Sequence, residues 1–255
     1  MTSGAFCVAR RYESRLWGGT QMAAWLGVTD APTPFAESWQ VYNDNRVTTG
    51  PHAGLTLREL VRLHGAALVG SHTYARYGDD FPLLAKFIDA GQPLSVQVHP
   101  DDVYAHTHEA HTGFHGKTEA WYIIDAQPGA DVIHGLSTPL TRADYAAAIT
   151  AGTLEAHLRR VAIAPGDTID VPAGTIHAIN AGVFLFEIQQ TSDLTYRVYD
   201  YNRREPDGSL RALHIPQALA VSHLDAPPPA RTTPHAIAPG HDVLVESPFF
   251  VMERL

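Results

Sequence analysis

The segment LSVQVHPDD, residues 94–102, alternates apolar and polar side chains, which predicts a half-buried β-strand. Val96 and Val98 lie on one side of this strand, whereas Gln97 and His99 lie on the other. Polar side chains on an inward strand face are costly unless they are paired or bind a metal. The segment therefore points to a metal-centred or polar site on one face of a sheet.

A second segment, GKTEAWYII at residues 116–124, also reads as a strand. Lys117, Glu119 and Trp121 share one of its faces, because side chains alternate along a strand. The two segments together place an amide, an imidazole, an ammonium and a carboxylate on strand faces that could converge.

The loop between these two segments carries four histidines that form a rival metal cluster. They are His106, His108, His111 and His115. The last three could share one helical face. Because the sequence shows no carboxylate-rich surroundings for them, we interpret this segment as a solvated loop.

Composition and charge exclude several classes of function. The chain has 255 residues, a net charge of −9 and a single cysteine, Cys7. The acidic charge does not favour a general nucleic-acid binder, and one cysteine permits neither an internal disulfide nor a cysteine-based zinc knuckle. The N-terminus lacks the apolar core of a signal peptide, and no run reaches the roughly 20 apolar residues of a membrane helix. We expect a cytoplasmic protein with no nucleic-acid or membrane partner.

Short apolar runs separated by proline and glycine turns predict a mainly β protein, a β-sandwich or jelly roll with a few short helices. Two helix starts are marked by capping pairs, Thr56 with Glu59 and Thr141 with Asp144. The segment 70–80 lacks a clear period and is predicted to be a loop. A linker is expected from the prolines at 227–229 to Gly240.

Four residues of the predicted strands are candidate metal ligands. They are Gln97, His99, Glu119 and His177. Two imidazoles, a carboxylate and an amide oxygen suit zinc or another borderline divalent ion. A lone strand histidine is more often a structural side chain. The phrase PAGTIH, which ends at His177, resembles the turn-then-histidine phrases of cupins, in which the turn presents a ligand into the barrel, and this favours a ligand.

Several other residues could form a substrate site beside this metal. Lys117, Lys86 and Arg197 are cations in apolar or aromatic surroundings, which fits an anionic substrate. Their simpler interpretation is a salt bridge, or aromatic stacking for Arg197. Four further residues could line the same site. Ser95 could donate a hydrogen bond to a phosphate, Glu37 and Asp193 are carboxylates that could act on the substrate or support the metal ligands, and Trp17 could form an aromatic wall.

Six phrases in order resemble the type I mannose-6-phosphate isomerases in their short bacterial form. They are RLWGG, AESW, LSVQVHPDD, GKTEAWYI, VPAGTIHAI and EIQQTSDLTYRVYDYNR. The resemblance spans Arg15 to Ser222, most of the chain. It implies a cupin fold, the jelly-roll double-stranded β-helix, and a zinc-dependent enzyme that interconverts mannose 6-phosphate and fructose 6-phosphate.

The resemblance also implies roles for the candidate residues. One zinc ion per chain would be held by Gln97, His99, Glu119 and His177. Arg197 and Lys117 would be catalytic. The residues expected to bind the sugar phosphate are Ser95, Lys86, Glu37, Trp17 and Asp193.

The expected reaction moves a proton between two sugar carbons through a cis-enediolate, and it needs a Lewis acid and a general base. Two other functions fit the same residues. One is a different metal cupin enzyme, such as an oxygenase or another sugar isomerase. The other is a non-catalytic cupin that binds a sugar phosphate.

The resemblance also shapes the expected domain organisation. Residues 1–225 are predicted to form the catalytic cupin domain with helical insertions. Residues 226–255 are expected to form a linker and the start of a second β domain. Family members usually continue into that domain, and here the chain ends at Leu255 within VESPFFVMERL, so the domain is expected to be truncated. Both a monomer and a homodimer fit the sequence.

Overall fold

Strand alternation sorts the side chains into an inner and an outer layer. The structure is a computed structural model that describes residues 5–205 and 207–255. Fourteen strands are found within these residues: β1 Arg11–Glu13, β2 Glu37–Val41, β3 Leu83–Ala90, β4 Val96–Val98, β5 Glu119–Ala126, β6 Asp131–Leu136, β7 Leu158–Ala162, β8 Thr168–Val171, β9 His177–Ile179, β10 Val183–Gln190, β11 Tyr196–Tyr199, β12 His235–Ala238, β13 His241–Glu246 and β14 Val251–Arg254.

The strands form two large antiparallel sheets and one small one. The first sheet has the order β1-β2-β3-β10-β5-β8, and the second has the order β11-β4-β9-β6-β7. An apolar core with residues from both sheets, including Trp121 of the first and Val132 of the second, lies between them. The mainly β prediction is confirmed, and the two facing sheets are those of a jelly roll.

The alternation predicted for β4 is confirmed, and it explains the polar face of this strand. Val96 and Val98 are fully buried in a second apolar cluster, which includes Tyr145 and Ala218 from two helices that cover the second sheet. The opposite face of β4 carries Gln97, and it points between the two sheets. The interior between the sheets is therefore apolar in one part and polar in another.

Seven α-helices are found in the described residues: α1 Met22–Leu26, α2 Leu57–His64, α3 Ala66–Val69, α4 Ser71–Tyr77, α5 Asp102–His108, α6 Arg142–Ala151 and α7 Ile215–Val221. The capping box of α2 forms as predicted, and Thr141 caps α6. None of these helices is long and apolar enough to cross a membrane.

The predicted loop at 70–80 is wrong in part, because Ser71–Tyr77 forms helix α4. Gly70 and Gly78 bound this helix, both with positive φ. Tyr77 is its one buried residue, so the helix has no apolar period for a sequence pattern to reveal. Its partners are neighbours in space, and Gln190 donates a hydrogen bond to the Tyr77 hydroxyl.

The small sheet β12-β13-β14 packs against the outer face of the first large sheet. Leu244 and Phe250 of this segment join an apolar cluster with Ala120 and Ile188. The predicted linker is shorter than expected, since β12 already begins at His235. The division into domains at residues 225 and 226 stays a prediction.

Candidate metal centre and cleft

His99, Glu119 and His177 form a buried cluster that could hold one metal ion. One ligand atom of each lies within 4.8 Å of the others. The Nε2 atoms of His99 and His177 are 3.4 and 3.3 Å from the two oxygens of Glu119. Ligands placed tetrahedrally about zinc stand roughly 3.3 Å apart, given Zn–N and Zn–O bonds near 2 Å. The spacing of these atoms matches a zinc site.

Backbone carbonyls fix the tautomers of both histidines. The Nδ1–H of His99 donates to the oxygen of Leu194 at 2.8 Å, and that of His177 donates to Thr175 at 2.8 Å. Because Nδ1 carries the proton, Nε2 of each ring keeps a lone pair that is available to a metal inside the cluster. Metal-binding histidines are oriented in this way by their other ring nitrogen.

Burial keeps the two imidazoles neutral. Burial and the Lys117 charge lower the pKa of His99 to about 3, and burial also lowers the pKa of His177. Burial alone would raise the pKa of Glu119, but the Lys117 ammonium holds it well below its ordinary value. The cluster thus presents one carboxylate and two neutral nitrogens, which are the protonation states that a metal requires.

The carboxylate of Glu119 lacks the hydrogen bonds that a buried anion needs. Within the described residues, neither oxygen accepts a hydrogen bond of acceptable geometry. The Nζ atom of Lys117 lies 2.8 Å from one oxygen and 3.1 Å from Nε2 of His99. Two acceptors therefore share one ammonium, and a divalent cation would compensate the buried carboxylate more fully.

Gln97 lies beside the cluster, as its strand position predicts. It pairs with His177 across β4 and β9, and its Nε2 is 3.3 Å from Nε2 of that histidine. Because amide nitrogen and oxygen are assigned from the hydrogen-bond network, a half-turn of the amide would present an oxygen instead. Gln97 as a fourth ligand stays a prediction.

A cleft of about 390 Å³ opens next to this cluster. Its volume falls within the range of roughly 300–1,000 Å³ that is common for small-molecule sites. The eight predicted site residues outside the buried cluster all line this cleft: Trp17, Glu37, Lys86, Ser95, Gln97, Lys117, Asp193 and Arg197. The fold therefore brings together residues that are up to 180 positions apart in the chain, since 197 − 17 = 180.

Lys86 lies between two buried carboxylates inside the cleft. Its Nζ is 3.3 Å from Glu37 and 3.2 Å from Glu187. The other oxygen of Glu187 accepts a hydrogen bond from Nε1 of Trp121 at 2.9 Å, while Trp39 donates to Glu37 at 2.6 Å. Lys86 thus shares its charge with two anions, and this limits what it can offer to an anionic ligand.

The two carboxylates next to Lys86 differ in proton affinity. Burial raises the pKa of Glu187, and the nearby charge of Glu119 raises it further. Burial works in the same direction on Glu37, but Lys86 and the bond from Trp39 hold the pKa of Glu37 below its ordinary value. Of this pair, Glu187 is the one that can bind a proton more readily.

Sequence reasoning missed several residues that line the cleft. Glu187 and Gln189 share the inward face of β10 with Leu185. Two polar residues on an otherwise apolar strand face were a usable signal, the same one that identified Gln97. Arg15 and Arg211 also line the cleft, and no pattern in the sequence points to either.

The loop histidines lie apart from the cleft, at the surface around α5. His106, His108 and His111 are exposed, whereas the His115 side chain is 12% exposed. Asp102 is close enough to His106 and His115 for the three to form a second candidate metal group. However, Asp102 already accepts hydrogen bonds from Arg76, Gly116 and Gln190. These bonds give that carboxylate a structural role.

Comparison with known proteins gives consistent matches over most of the chain. A family model described as phosphomannose isomerase type I, catalytic domain, matches residues 6–126. Mannose-6-phosphate isomerase ManA of Bacillus subtilis is 41% identical over 229 residues, covering 88% of this chain and 70% of the relative. Mannose-6-phosphate isomerase of Streptococcus mutans is 38% identical, covering 94% of this chain and 75% of the relative.

A solved structure matches the fold as well. The crystal structure of mannose 6-phosphate isomerase from Bacillus subtilis superposes with a TM-score of 0.84 at 34% sequence identity. The match covers 97% of this chain and 78% of that one. It confirms the predicted cupin architecture.

Proposed function

This chain belongs to the type I phosphomannose isomerase family, and we propose from that premise that it interconverts mannose 6-phosphate and fructose 6-phosphate with one zinc ion per chain. The observation that carries the proposal is the buried cluster of His99, Glu119 and His177 beside a cleft of suitable volume. The fixed tautomers and the unsatisfied carboxylate fit a divalent cation. Zinc bound there would supply a Lewis acid for the sugar oxygens.

Four residues would hold the zinc ion: His99, Glu119, His177 and, after a half-turn of its amide, Gln97. Their nitrogen and oxygen donors suit zinc. With three or four protein ligands in place, zinc can accept only one or two further oxygens from the sugar. The carbonyl of Leu194 would keep His99 in place during turnover. The ligand set is thus supported by orientation as well as by composition.

Glu187 is the group that we propose to move the proton between the two sugar carbons. It is a buried carboxyl group in the cleft with a raised pKa, and such groups are suited to exchange protons near neutral pH. The Trp121 hydrogen bond and the Lys86 ion pair hold its two oxygens. The proton would pass to the adjacent carbon through the cis-enediolate.

Lys117 and Arg197 are proposed to act on the oxygens of the sugar. Lys117 lies between the metal cluster and the cleft, where it can exchange a proton with a sugar oxygen. Arg197 donates to the carbonyl of Ala212, and within the described residues it forms no salt bridge. Its charge is therefore available to negative charge that develops on the substrate.

The phosphate is proposed to bind at the arginine-lined part of the cleft with Ser95. Arg15 and Arg211 line the cleft with Arg197, and guanidinium groups bind phosphate through paired hydrogen bonds. Arg15 also pairs with Glu13 and Arg211 with Asp200, so of the three only Arg197 has no ion pair among the described residues. Lys86 stays a predicted contact of the sugar phosphate, although its ion pair with Glu187 supports a role in holding that carboxylate in place. Glu37, Asp193 and Trp17 would complete the walls around the sugar.

A coupled assay with mannose 6-phosphate tests the proposal. We expect turnover by the zinc-loaded protein, loss of activity after chelation, and recovery on addition of zinc. Full activity of protein shown to be free of metal would contradict the zinc-dependent reaction. Binding of fructose 6-phosphate without turnover would instead indicate a non-catalytic sugar-phosphate protein.

A further inference from the structure

The side-chain amide of Gln189 is held in one orientation by two backbone carbonyls. Its Nε2 donates hydrogen bonds to the oxygens of Gln190 at 2.9 Å and of Ser192 at 2.7 Å. A carbonyl can only accept, so the nitrogen must face these two groups. The opposite end of the amide, Oε1, is therefore fixed as well.

The Oε1 atom of Gln189 has no donor among residues 5–205 and 207–255. The residue is only 1% exposed, and it lines the cleft. It lies on the inward face of β10 and pairs directly with Glu119 of β5. A buried acceptor without a partner is unfavourable, and such an atom in a cleft is poised for a ligand that donates.

The missing partner must be a hydrogen-bond donor. An ionised phosphate and a ketone oxygen only accept, so neither could satisfy Oε1 of Gln189. The hydroxyl groups of a sugar can donate. Within the proposed function, the oxygens on C1 and C2 would bind the metal, so the C3 hydroxyl is the first free donor beyond them, and Gln189 pairs with Glu119 of the metal cluster.

We propose that Oε1 of Gln189 accepts a hydrogen bond from the C3 hydroxyl of the substrate and so makes the enzyme selective for sugars that carry this group. The inference rests on the proposed function, which places C1 and C2 beside the metal cluster. It assigns Gln189 a role in binding and specificity, since the residue carries no proton to transfer. The neighbouring carbonyls supply the rigidity that such selectivity needs.

The test compares kcat/KM for mannose 6-phosphate, its 3-deoxy analogue and its 4-deoxy analogue. For the wild type we expect a roughly ten- to hundredfold loss with the 3-deoxy sugar, because one buried acceptor is left unpaired. The loss with the 4-deoxy sugar should be much smaller. Gln189→Met should lose a similar factor with mannose 6-phosphate and should no longer distinguish it from the 3-deoxy sugar.

Gln40→Met is the matched control. Gln40 lies on β2 outside the cleft lining, and its Nε2 also donates to a nearby carbonyl, that of Ser38. This variant should keep the wild-type ratio between the two sugars. Zinc content and melting temperature, measured for both variants, would report any loss of the fold.

Two results would overturn the inference. One is a Gln189→Met enzyme with the wild-type ratio between the parent and 3-deoxy sugars. The other is a wild-type enzyme with equal kcat/KM for mannose 6-phosphate and its 3-deoxy analogue, or with a larger loss for the 4-deoxy than for the 3-deoxy analogue. This second result does not depend on whether a variant folds. If zinc-loaded wild type did not convert mannose 6-phosphate at all, the proposed function would fail, and the inference with it.

Discussion

The Nζ atom of Lys117 lies 2.8 Å from Oε2 of Glu119, inside the same cluster that could hold a metal. The ammonium is also 3.1 Å from Nε2 of His99. One cation of the chain therefore compensates two buried acceptors, a carboxylate oxygen and an imidazole nitrogen, in the metal-free protein. A bound divalent ion would share or take over this compensation.

Replacing Lys117 by methionine should therefore destabilise the metal-free protein far more than the zinc-loaded protein. Removal of one partner of a buried ion pair costs roughly 3–5 kcal/mol, because the other charge is left uncompensated. Zinc would restore the positive charge beside Glu119. The melting temperature with chelator and with zinc measures the effect, and the increase caused by zinc should be larger in Lys117→Met than in wild type.

Lys86→Met provides the comparison for this experiment. Lys86 pairs with Glu37 and Glu187 in the cleft, and within the described residues it forms no ion pair with Glu119. This variant should also be less stable, but its zinc-induced increase should equal that of the wild type. Equal increases in all three proteins would show that Lys117 does not substitute for a metal charge.

Glu187→Gln should retain zinc and lose turnover. The amide keeps the size of the side chain, but it cannot take up and release a proton. Glu187 can do so, because its raised pKa favours proton binding. Loss of a general acid or base lowers kcat by about 10²–10⁴-fold. Metal analysis and steady-state kinetics of the purified variant measure the two effects separately.

Glu37→Gln is the control for the ion pair with Lys86. Both variants remove one carboxylate from that lysine, yet only Glu187 is proposed to move a proton. We expect the Glu37 variant to keep most of the turnover. An equal fall in kcat for both variants would mean that Glu187 acts only through its ion pair.

Arg197→Ala should lower kcat far more than it weakens substrate binding. Its guanidinium group lines the cleft and is available for charge that develops in the transition state. Measured kcat and KM with mannose 6-phosphate give the separation. A rise in KM with unchanged kcat would restrict Arg197 to binding, and Arg160→Ala, an exposed position paired with Asp131, should leave both unchanged.

His134 should make the fold less stable in mild acid. It is buried, donates from Nε2 to the carbonyl of Asp170, and accepts a hydrogen bond from Arg159 at Nδ1. Burial, with a smaller contribution from Arg159, lowers the pKa of His134 from 6.5 to about 4. Between these values the unfolded chain binds the proton and the folded one does not, so the free energy of unfolding falls as pH drops from about 6.5 to about 4.

The His134 contribution reaches at most roughly 3 kcal/mol over that window. Chemical denaturation of wild type and His134→Gln at pH 7, 5.5 and 4.5 measures it. The glutamine can still donate to Asp170 but does not titrate, so its stability should decline less steeply. Parallel pH curves for the two proteins would show that His134 is not responsible.

The sequence by itself determined the period of each strand and therefore which residues face inward. The alternation of Val96 and Val98 with Gln97 and His99 already separated the helix-covered face of β4 from its polar face. Together with the phrase that ends at His177, this pattern was enough to choose the candidate ligands. It was sufficient because strand alternation is a local property of the backbone.

Only the tertiary structure decided what these residues do to one another. Strand β10 lies between β3 and β5, and this puts Glu187 beside Lys86 and Gln189 beside Glu119. No local pattern reveals such pairs, since they depend on strand order and register. The same holds for the carbonyl of Leu194, which fixes the tautomer of His99 from 95 residues away. Proton positions, ion pairs and an unpaired amide oxygen result from long-range packing, and they turn a list of polar residues into a candidate site.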